Sequence, residues 1–461
     1  MDFNQIFSTI LDPVLNAGPL FMIFIVFTVI GLLVRLGPVR AIRNGLMISV
    51  GFSGVYIIVD YFLAKVAPAA TALAERFGGV FTYTDIGWAA FASFAFSSPL
   101  AYAVIAISLG VNLLMIFTNM TDTLNLNIWD TWEATIATLI IFGLTGNALV
   151  ALVFSGMLAW LNLMISDWYA LKGYCADYGF EGISFYQGTN VSWGIFAHYV
   201  ARLLDKIPAT SKATFTPEYV QEKFGVIGEP AVLGGIIGAL MGIGAGFFWT
   251  DVVMLMISLA TALVLLPMMS GIVMQALVPV SEAAAKFMKE KTGGRELFIG
   301  VDPAIAVGNT TVLATTVLMV PVLLLLAFII PGAVNVPLAD LPALLFFWVF
   351  VAAPNRFDML RTFVTTILMG IIGTFVSIAV APWLTMVAIN QGLEVAEGTG
   401  VTSWFGHLTP EFLFAGLYGS NFNTLGLPGL IVIIAVVVLA TGALRMRHNK
   451  AMKAKAAAVA E

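Results

Sequence analysis

A polar segment lies between two apolar stretches of this chain. Seven of the ten side chains in Thr121–Asp130 can form hydrogen bonds, whereas residues 100–117 and 134–165 on either side are apolar. Burying polar side chains beside segments that are apolar enough to cross a membrane costs free energy, unless the side chains contact water, a partner or a ligand. Many neutral donors and acceptors with few charges suit an uncharged, hydroxyl-rich ligand better than an ion. We therefore predict that the ligand contacts Asp122, Asn125, Asn127, Trp129 and Asp130.

Two acid–proline pairs, Glu229-Pro230 and Asp302-Pro303, each begin an apolar stretch. Proline fits the first turn of a helix, and an acid just before it caps free backbone N–H groups. Alternatively, these carboxylates accept hydrogen bonds from ligand hydroxyls at the starts of broken helices, and the two roles are compatible. Gln275 and Asn309 are further candidates for the same site, with hydrogen bonds between helices as the alternative for both.

The motifs of several enzyme classes are absent from the sequence. The chain has no His-Glu-x-x-His, Gly-x-Ser-x-Gly or Walker lysine motif, and its three histidines are scattered. Its one cysteine, Cys175, cannot form an intrachain disulfide or a cysteine-rich metal site. Glycines recur every fourth residue from Gly234 to Gly246, which predicts close helix packing and not nucleotide binding. We therefore predict a protein that is not an enzyme, with no metal, cofactor or nucleic-acid partner.

Composition indicates which elements must position these residues. Apolar residues make up 60% of the 461 residues and charged residues 10%, against about 25% charged residues in a soluble protein. We therefore predict an all-α polytopic membrane protein with about 11 transmembrane helices, each needing about 20 apolar residues. The candidate spans are residues 14–36, 41–63, 86–117, 134–165, 230–249, 251–278, 303–334, 341–353, 359–389 and 427–444.

Several of these stretches have lengths that one ordinary helix does not fit. Pro99 is placed to break residues 86–117, and Gly143, Gly146 and Asn147 are placed to break residues 134–165. Residues 341–353 are too short to span a bilayer. Broken and short segments are typical of transporter cores, in which helices end at a central site. Kinked but continuous helices are the alternative.

The placement of lysine and arginine predicts the orientation of the chain. The positive-inside rule puts the basic clusters on the cytoplasmic side, so that the N-terminus lies outside, the C-terminus lies inside and the number of spans is odd. No basic region precedes the first apolar stretch, and we expect no cleaved signal peptide. The clusters are Arg35/Arg40/Arg43, Lys286/Lys289/Lys291/Arg295, Arg356/Arg361 and Arg445/Arg447/Lys450/Lys453/Lys455.

Hydropathy divides the chain into four regions. Residues 1–165 form a first membrane half, and residues 229–444 form a second. Residues 166–228 connect them and mix aromatic with charged residues, which indicates interfacial helices, among them an amphipathic helix over 193–207. Residues 445–461 form a basic cytoplasmic tail.

An ordered series of short segments resembles the membrane subunit (IIC) of the galactitol phosphotransferase system. The series covers most of the chain, which makes the resemblance specific although each segment alone would be weak. The segments are Gly87-Trp88, Ser98-Pro99, Asn112, Thr121–Trp129, Ser166–Trp168, Phe224–Pro230, Pro279–Ala284, Arg295–Asp302, Pro331-Gly332 and Ala339–Leu341.

The resemblance implies a carrier of a neutral polyol in the bacterial cytoplasmic (inner) membrane that works by group translocation. The phosphate group that is added to the substrate would pass from a separate IIA protein to a cysteine of a separate IIB protein and then to the substrate. The related ascorbate carriers imply inverted repeats, a gate (V-motif) domain, a core domain, a homodimer and elevator-type motion. By resemblance, Glu229 and Asp302 face the substrate.

The chain departs from the usual pattern of that family at four places. Lysine is usual at Asp122, aspartate at Asn127, Glu-Gly at Gln275-Ala276 and His-Pro at Asn309-Thr310. These departures imply a changed polyol or sugar more than a changed fold. The alternative function is a proton- or Na⁺-coupled secondary transporter of a sugar or polyol, because intramembrane carboxylates such as Glu229 and Asp302 also suit ion coupling.

Overall fold

The computed structural model describes residues 19–77, 81–127, 129–188, 190–211, 215–216, 219, 222, 229–291, 297–341 and 343–460. The start of the first predicted span and the predicted motif residues 224–228 and 295–296 lie outside these described residues. The described helices are α1 (Pro19–Leu33), α2 (Pro38–Phe77), α3 (Trp88–Ser97), α4 (Leu100–Phe117), α5 (Thr131–Thr145), α6 (Ala148–Leu171), α7 (Tyr174–Asp177), α8 (Ser192–Leu204), α9 (Pro230–Ala245), α10 (Trp249–Lys291), α11 (Thr310–Ile329), α12 (Leu344–Ala352), α13 (Met359–Asn390), α14 (Trp404–His407), α15 (Pro410–Ser420) and α16 (Phe422–Ala460).

Five helices in the described part of the chain are long and apolar enough to cross a membrane. They are α4, α6, α11, α13 and the first 25 residues of α16. Several other helices are apolar but shorter than a span, among them α3 and α5. The structure is therefore that of a multi-pass membrane protein in which complete spans alternate with partial ones.

The two predicted breaks are confirmed. Helix α3 ends at Ser97 and α4 begins at Leu100, because Pro99 cannot continue the hydrogen-bond ladder of α3. Helix α5 ends at Gly146, whose φ of 66° ends the helix in the left-handed region. Asn147 then caps α6 by accepting a hydrogen bond from the backbone N–H of Val150.

Short parallel strands lie between the helices. The described strands are β1 (Tyr83–Asp85), β2 (Thr123–Asn125), β3 (Ile183–Phe185), β4 (Phe298–Val301) and β5 (Gly400–Thr402). β1 pairs with β5, and β4 pairs with β2 on one side and β3 on the other. The chain is mostly helical, as predicted, and the strands were not predicted because three or four residues leave no periodic pattern that is long enough to recognise.

Glycine permits the close approach of β2 and β4. Asn125 lies opposite Gly300 in the pairing register. A Cβ atom on Gly300 would lie 2.8 Å from the Thr123 side chain and 2.9 Å from the Asn125 backbone. Glycine at this position therefore lets the segment that contains the predicted ligand contacts pair with the segment that precedes Asp302.

Helices α1, α2, α9 and α10 pack mainly against one another, although residues 78–229 separate the first pair from the second in the chain. The glycine stripe of α9 lies against α10, since a Cβ on Gly238 would lie 2.8 Å from the carbonyl oxygen of Leu255. The predicted role of this stripe in helix packing is confirmed. Helix α12 is buried along its whole length and packs against α8, α11 and α13.

Candidate functional site

Three parallel strands end at the same edge of the β2-β4-β3 sheet. Phe185 of β3 lies opposite Val301, and Asn125 of β2 lies opposite Gly300. The residues that follow the three strands therefore emerge side by side, and they include Asn127, Gln187 and Asp302. The sheet edge thus gathers three polar side chains that are far apart in sequence.

A small cavity lies at this edge. Polar side chains form one part of its wall, and aromatic rings form the rest. The rings form a connected group, because the centroids of Trp88 and Trp132 are 6.1 Å apart and those of Trp132 and Phe405 are 5.7 Å apart. The lining residues are Trp88, Trp129, Asp130, Trp132, Gln187, Asp302, Phe346 and Phe405.

Local hydrogen bonds fix the two acids of the cavity. Asp302 caps the 3-10 turn Pro303–Ala306, since its Oδ1 accepts a hydrogen bond of 2.7 Å from the backbone N–H of Ala304. Asn127 donates from Nδ2 to the carboxylate of Asp130 and, over 2.8 Å, to the carbonyl oxygen of Tyr186. The capping role predicted for Asp302 is therefore confirmed, and the same side chain also lines the cavity.

Two buried glutamates lie behind the cavity wall. Glu133 accepts a hydrogen bond of 2.9 Å from Asn190, and Glu411 accepts one of 2.8 Å from Asn162. Both glutamates approach Gly188, where an added Cβ would lie 1.9 Å from one Glu133 oxygen and 3.0 Å from one Glu411 oxygen. Asp130 lies close to both glutamates and Asp302 lies close to Glu133, so that this side of the site contains four acidic residues.

Several acceptor atoms at the site are buried and have no hydrogen-bond donor among the described residues. They are Oε2 of Glu133, Oε1 of Gln187 and Oδ1 of Asn190. An unpaired buried acceptor costs roughly 1–3 kcal/mol. Groups in this state favour water molecules or a ligand that donates hydrogen bonds.

A second pair of acids, Asp85 and Asp340, is bound by the backbone. Asp85 accepts hydrogen bonds from the N–H groups of Gly87, Trp404, Ala339 and Asp340. Asp340 accepts from the N–H groups of Trp88 and Phe405 and from the hydroxyl of Ser403. These bonds fix the ends of the β1-β5 sheet and so position Trp88 and Phe405 in the cavity wall.

The structure brings together part of the predicted site. Asn127, Trp129, Asp130 and Asp302 surround the same region, and Asn127 also lines an adjoining apolar crevice with Asp302. Asn125 supports them from behind, because its Oδ1 accepts a hydrogen bond from the backbone N–H of Asn127.

The other predicted contacts lie elsewhere. Asp122 forms an ion pair with Arg445, and Asn309 caps α11 by accepting hydrogen bonds from Thr311 and Val312. Glu229 and Gln275 are exposed, on the helix group that contains α9 and α10, and neither lines the cavity. The structure does not place these four side chains in the cavity wall.

The sequence analysis missed five of the eight described residues that line the cavity. Gln187 lies in the run Phe185–Asn190, within the region predicted to be interfacial, where a single glutamine gave no signal. Trp88, Trp132 and Phe405 were missed because aromatic residues are common throughout the chain. The polar run after an apolar Ile-Ser-Phe triplet was the one signal that could have identified Gln187.

Comparison with known proteins identifies the family of the chain. Residues 13–398 match a protein family described as the sugar-specific permease component of the PTS system, EIIC-GAT. The galactitol-specific EIIC component of the PTS system of Escherichia coli K12 is 28% identical over 430 residues, which cover 93% of this chain and 94% of that protein. The protein of the same description from E. coli O157:H7 matches equally well. The chain therefore belongs to the EIIC-GAT family of PTS sugar permease components.

Proposed function

We propose that this permease component carries a neutral polyol of the galactitol type, bound by the residues around the cavity between the two small sheets, which at about 20 Å³ has to widen to admit the ligand. The observation that supports this most directly is the pairing of acids and unpaired acceptors with an aromatic wall. Asp130, Asp302 and Gln187 would accept hydrogen bonds from hydroxyl groups, and Trp88, Trp129 and Phe405 would pack against the C–H faces of the ligand.

The charge of the cavity supports an uncharged ligand. Among the residues that the structure describes, no lysine or arginine lines the cavity, and four acidic side chains lie in or behind its wall. A phosphorylated product would be repelled by Asp130 and Asp302. This repulsion would favour release of the product and give a physical reason for transport in one direction.

The phosphorylation step would take place on separate IIB and IIA proteins. The family consists of permease components of the PTS system, which implies partner components. Within the chain, the one cysteine offers no alternative nucleophile, because Cys175 is buried and burial raises the pKa of its thiol to about 12. The thiol is therefore protonated at neutral pH and unreactive.

Elevator-type motion is supported by the helix packing. Helices α1, α2, α9 and α10 would form the gate (V-motif) domain, and the helices around the cavity would form the moving core domain. Glu229 and Gln275 would then meet the ligand only in another position of the core, which reconciles the predicted site with their exposure here. Each small sheet pairs a strand from residues 1–228 with one from residues 229–444, which supports two inverted repeats.

The membrane arrangement completes the proposal. The chain would form a homodimer in the bacterial inner membrane with 11 spans, counting about 20 apolar residues for each. Its N-terminus would lie outside and its C-terminus in the cytoplasm. The division into residues 1–165, 166–228, 229–444 and 445–461 remains part of this proposal.

Direct binding tests the substrate. Purified protein in detergent would be titrated calorimetrically with galactitol, other hexitols, pentitols and galactitol phosphate. We expect saturable binding of at least one free polyol and much weaker binding of the phosphate. Absence of binding to every polyol would refute the proposed ligand class.

Vesicle uptake tests the mechanism. With IIA, IIB and a phosphate donor inside, we expect phosphorylated polyol to accumulate. Accumulation of unmodified polyol in response to a proton or Na⁺ gradient, without IIB, would instead identify the ion-coupled transporter. Membership of a PTS permease family favours the first outcome.

A further inference from the structure

An apolar groove lies on the outer side of the core, away from the polyol cavity. It runs between α6, α8 and α16, and its walls include Leu161, Ile165, Ile195 and Leu444. The empty volume of the groove is about 1320 Å³, including its open side. A groove of this kind between membrane helices offers room for a hydrocarbon chain.

Aromatic residues indicate where one end of the groove lies relative to the membrane surface. Trp168 and Tyr199 line it, and Tyr174 and His198 pack nearby, with ring centroids of Trp168 and His198 5.5 Å apart. Helix α8 is amphipathic, with Tyr199 and Leu203 exposed on one side. Tryptophan and tyrosine concentrate at the level of lipid headgroups, so this end of the groove lies at the membrane surface.

Two basic side chains lie at that same end. Lys172 is exposed, lies 5.8 Å from the centre of the Trp168 ring, and makes no ion pair among the described residues. Arg445 is 4% exposed and lines the groove. It pairs with Asp122 through Nη2, but its Nη1 lies 3.9 Å from the nearest Asp167 oxygen and has no hydrogen-bond partner in the described part of the chain.

We propose that this groove binds one anionic phospholipid. Its acyl chain would lie along Leu161, Ile165 and Leu444, and its phosphate would meet the exposed Lys172 at the aromatic end of the groove. Asp167 also lines the groove and, with Asp122, faces Arg445, so that the charge of Arg445 is offset and Lys172 supplies the positive charge for the phosphate. This binding site is independent of the proposed polyol transport.

Lipid retention in native mass spectrometry tests the site. Purified wild-type protein would be exposed to dioleoylphosphatidylglycerol or dioleoylphosphatidylcholine. We expect one retained lipid per chain, with phosphatidylglycerol preferred about fivefold, as one lysine near a lipid headgroup provides. K172Q should lose this preference, and L444W, which fills the groove, should lower retention of both lipids.

Matched variants separate the groove from the rest of the surface. K206Q removes an exposed lysine beyond the end of α8, and L439W adds a tryptophan to an exposed position of α16 outside the groove. Both should bind lipid as the wild type does, and all four variants should unfold at similar temperatures. Equal retention of the two lipids by the wild type, or an unchanged preference in K172Q, would overturn the proposal. So would an L444W variant that keeps its lipid but becomes monomeric, since the groove would then be an interface between two copies.

Discussion

The acids beside the two small sheets have different roles, one pair holding the backbone and the other facing the cavity. At the β1-β5 sheet, Asp85 and Asp340 accept seven hydrogen bonds, six of them from backbone N–H groups. At the β2-β4-β3 sheet, Asp302 accepts one backbone hydrogen bond and otherwise faces the cavity. The comparison teaches that a buried carboxylate in a membrane protein is not by itself a ligand contact. The number of donors that it already satisfies decides its role.

Removing a saturated acid should have the largest effect, and it should act on folding. In Asp340→Ala, the N–H groups of Trp88 and Phe405 and the hydroxyl of Ser403 lose their acceptor. Since each buried unpaired donor costs roughly 1–3 kcal/mol, we expect a loss of about 3 kcal/mol or more of stability. Thermal unfolding of the purified protein would show it, with the exposed Asp251→Asn as control. An unchanged melting temperature would break the comparison between the two sheets.

Removing the open acid should act on binding and leave the fold intact. Asp302→Asn keeps an oxygen that can cap Ala304 but removes the negative charge that faces the ligand. A hydrogen bond to a charged group contributes about 1.5–3 kcal/mol, so we expect polyol affinity to fall about 10- to 100-fold. Calorimetric titration measures this, and the melting temperature should stay close to that of the wild type. Full affinity in Asp302→Asn would remove this residue from the site.

The difference between the two sheets also explains which features of the structure could be predicted from the sequence. Local signals identified the polar segment, the acid–proline pairs and both helix breaks, because each depends on neighbouring residues. The pairing of Asn125 with Gly300 and of Phe185 with Val301 joins segments more than a hundred residues apart, and no local pattern encodes it. For this reason Gln187 was missed, and the pairing of Asp122 with Arg445 was not foreseen.

The aromatic wall should contribute less to binding than the acids. Trp129 is partly exposed and lies 4.9 Å from Phe96 between ring centroids, so its ring is already supported on one side. Trp129→Leu keeps an apolar side chain but loses the flat face, and we expect affinity to fall about fivefold, the equivalent of roughly 1 kcal/mol. The exposed Trp249→Leu serves as control, because Trp249 does not line the cavity. A loss as large as that of Asp302→Asn would mean that stacking, not hydroxyl recognition, dominates binding.

The smallest effect of a substitution on polyol affinity is expected at Cys175. This residue is buried, as the acids are, but it lies outside the cavity wall. It therefore tests whether burial alone makes a side chain important for binding. Burial raises the pKa of its thiol to about 12, so that the reactive thiolate is scarce until the pH approaches that value. A maleimide reagent at pH near 7 should therefore label the denatured chain but not the native one, and Cys175→Ala should change polyol affinity by less than about twofold. A cysteine placed at the exposed Glu397 in the Cys175→Ala background should be labelled under the same native conditions. Rapid labelling of native Cys175 would show that its surroundings open to water, and burial would then be a poor guide to which groups in this core are inert.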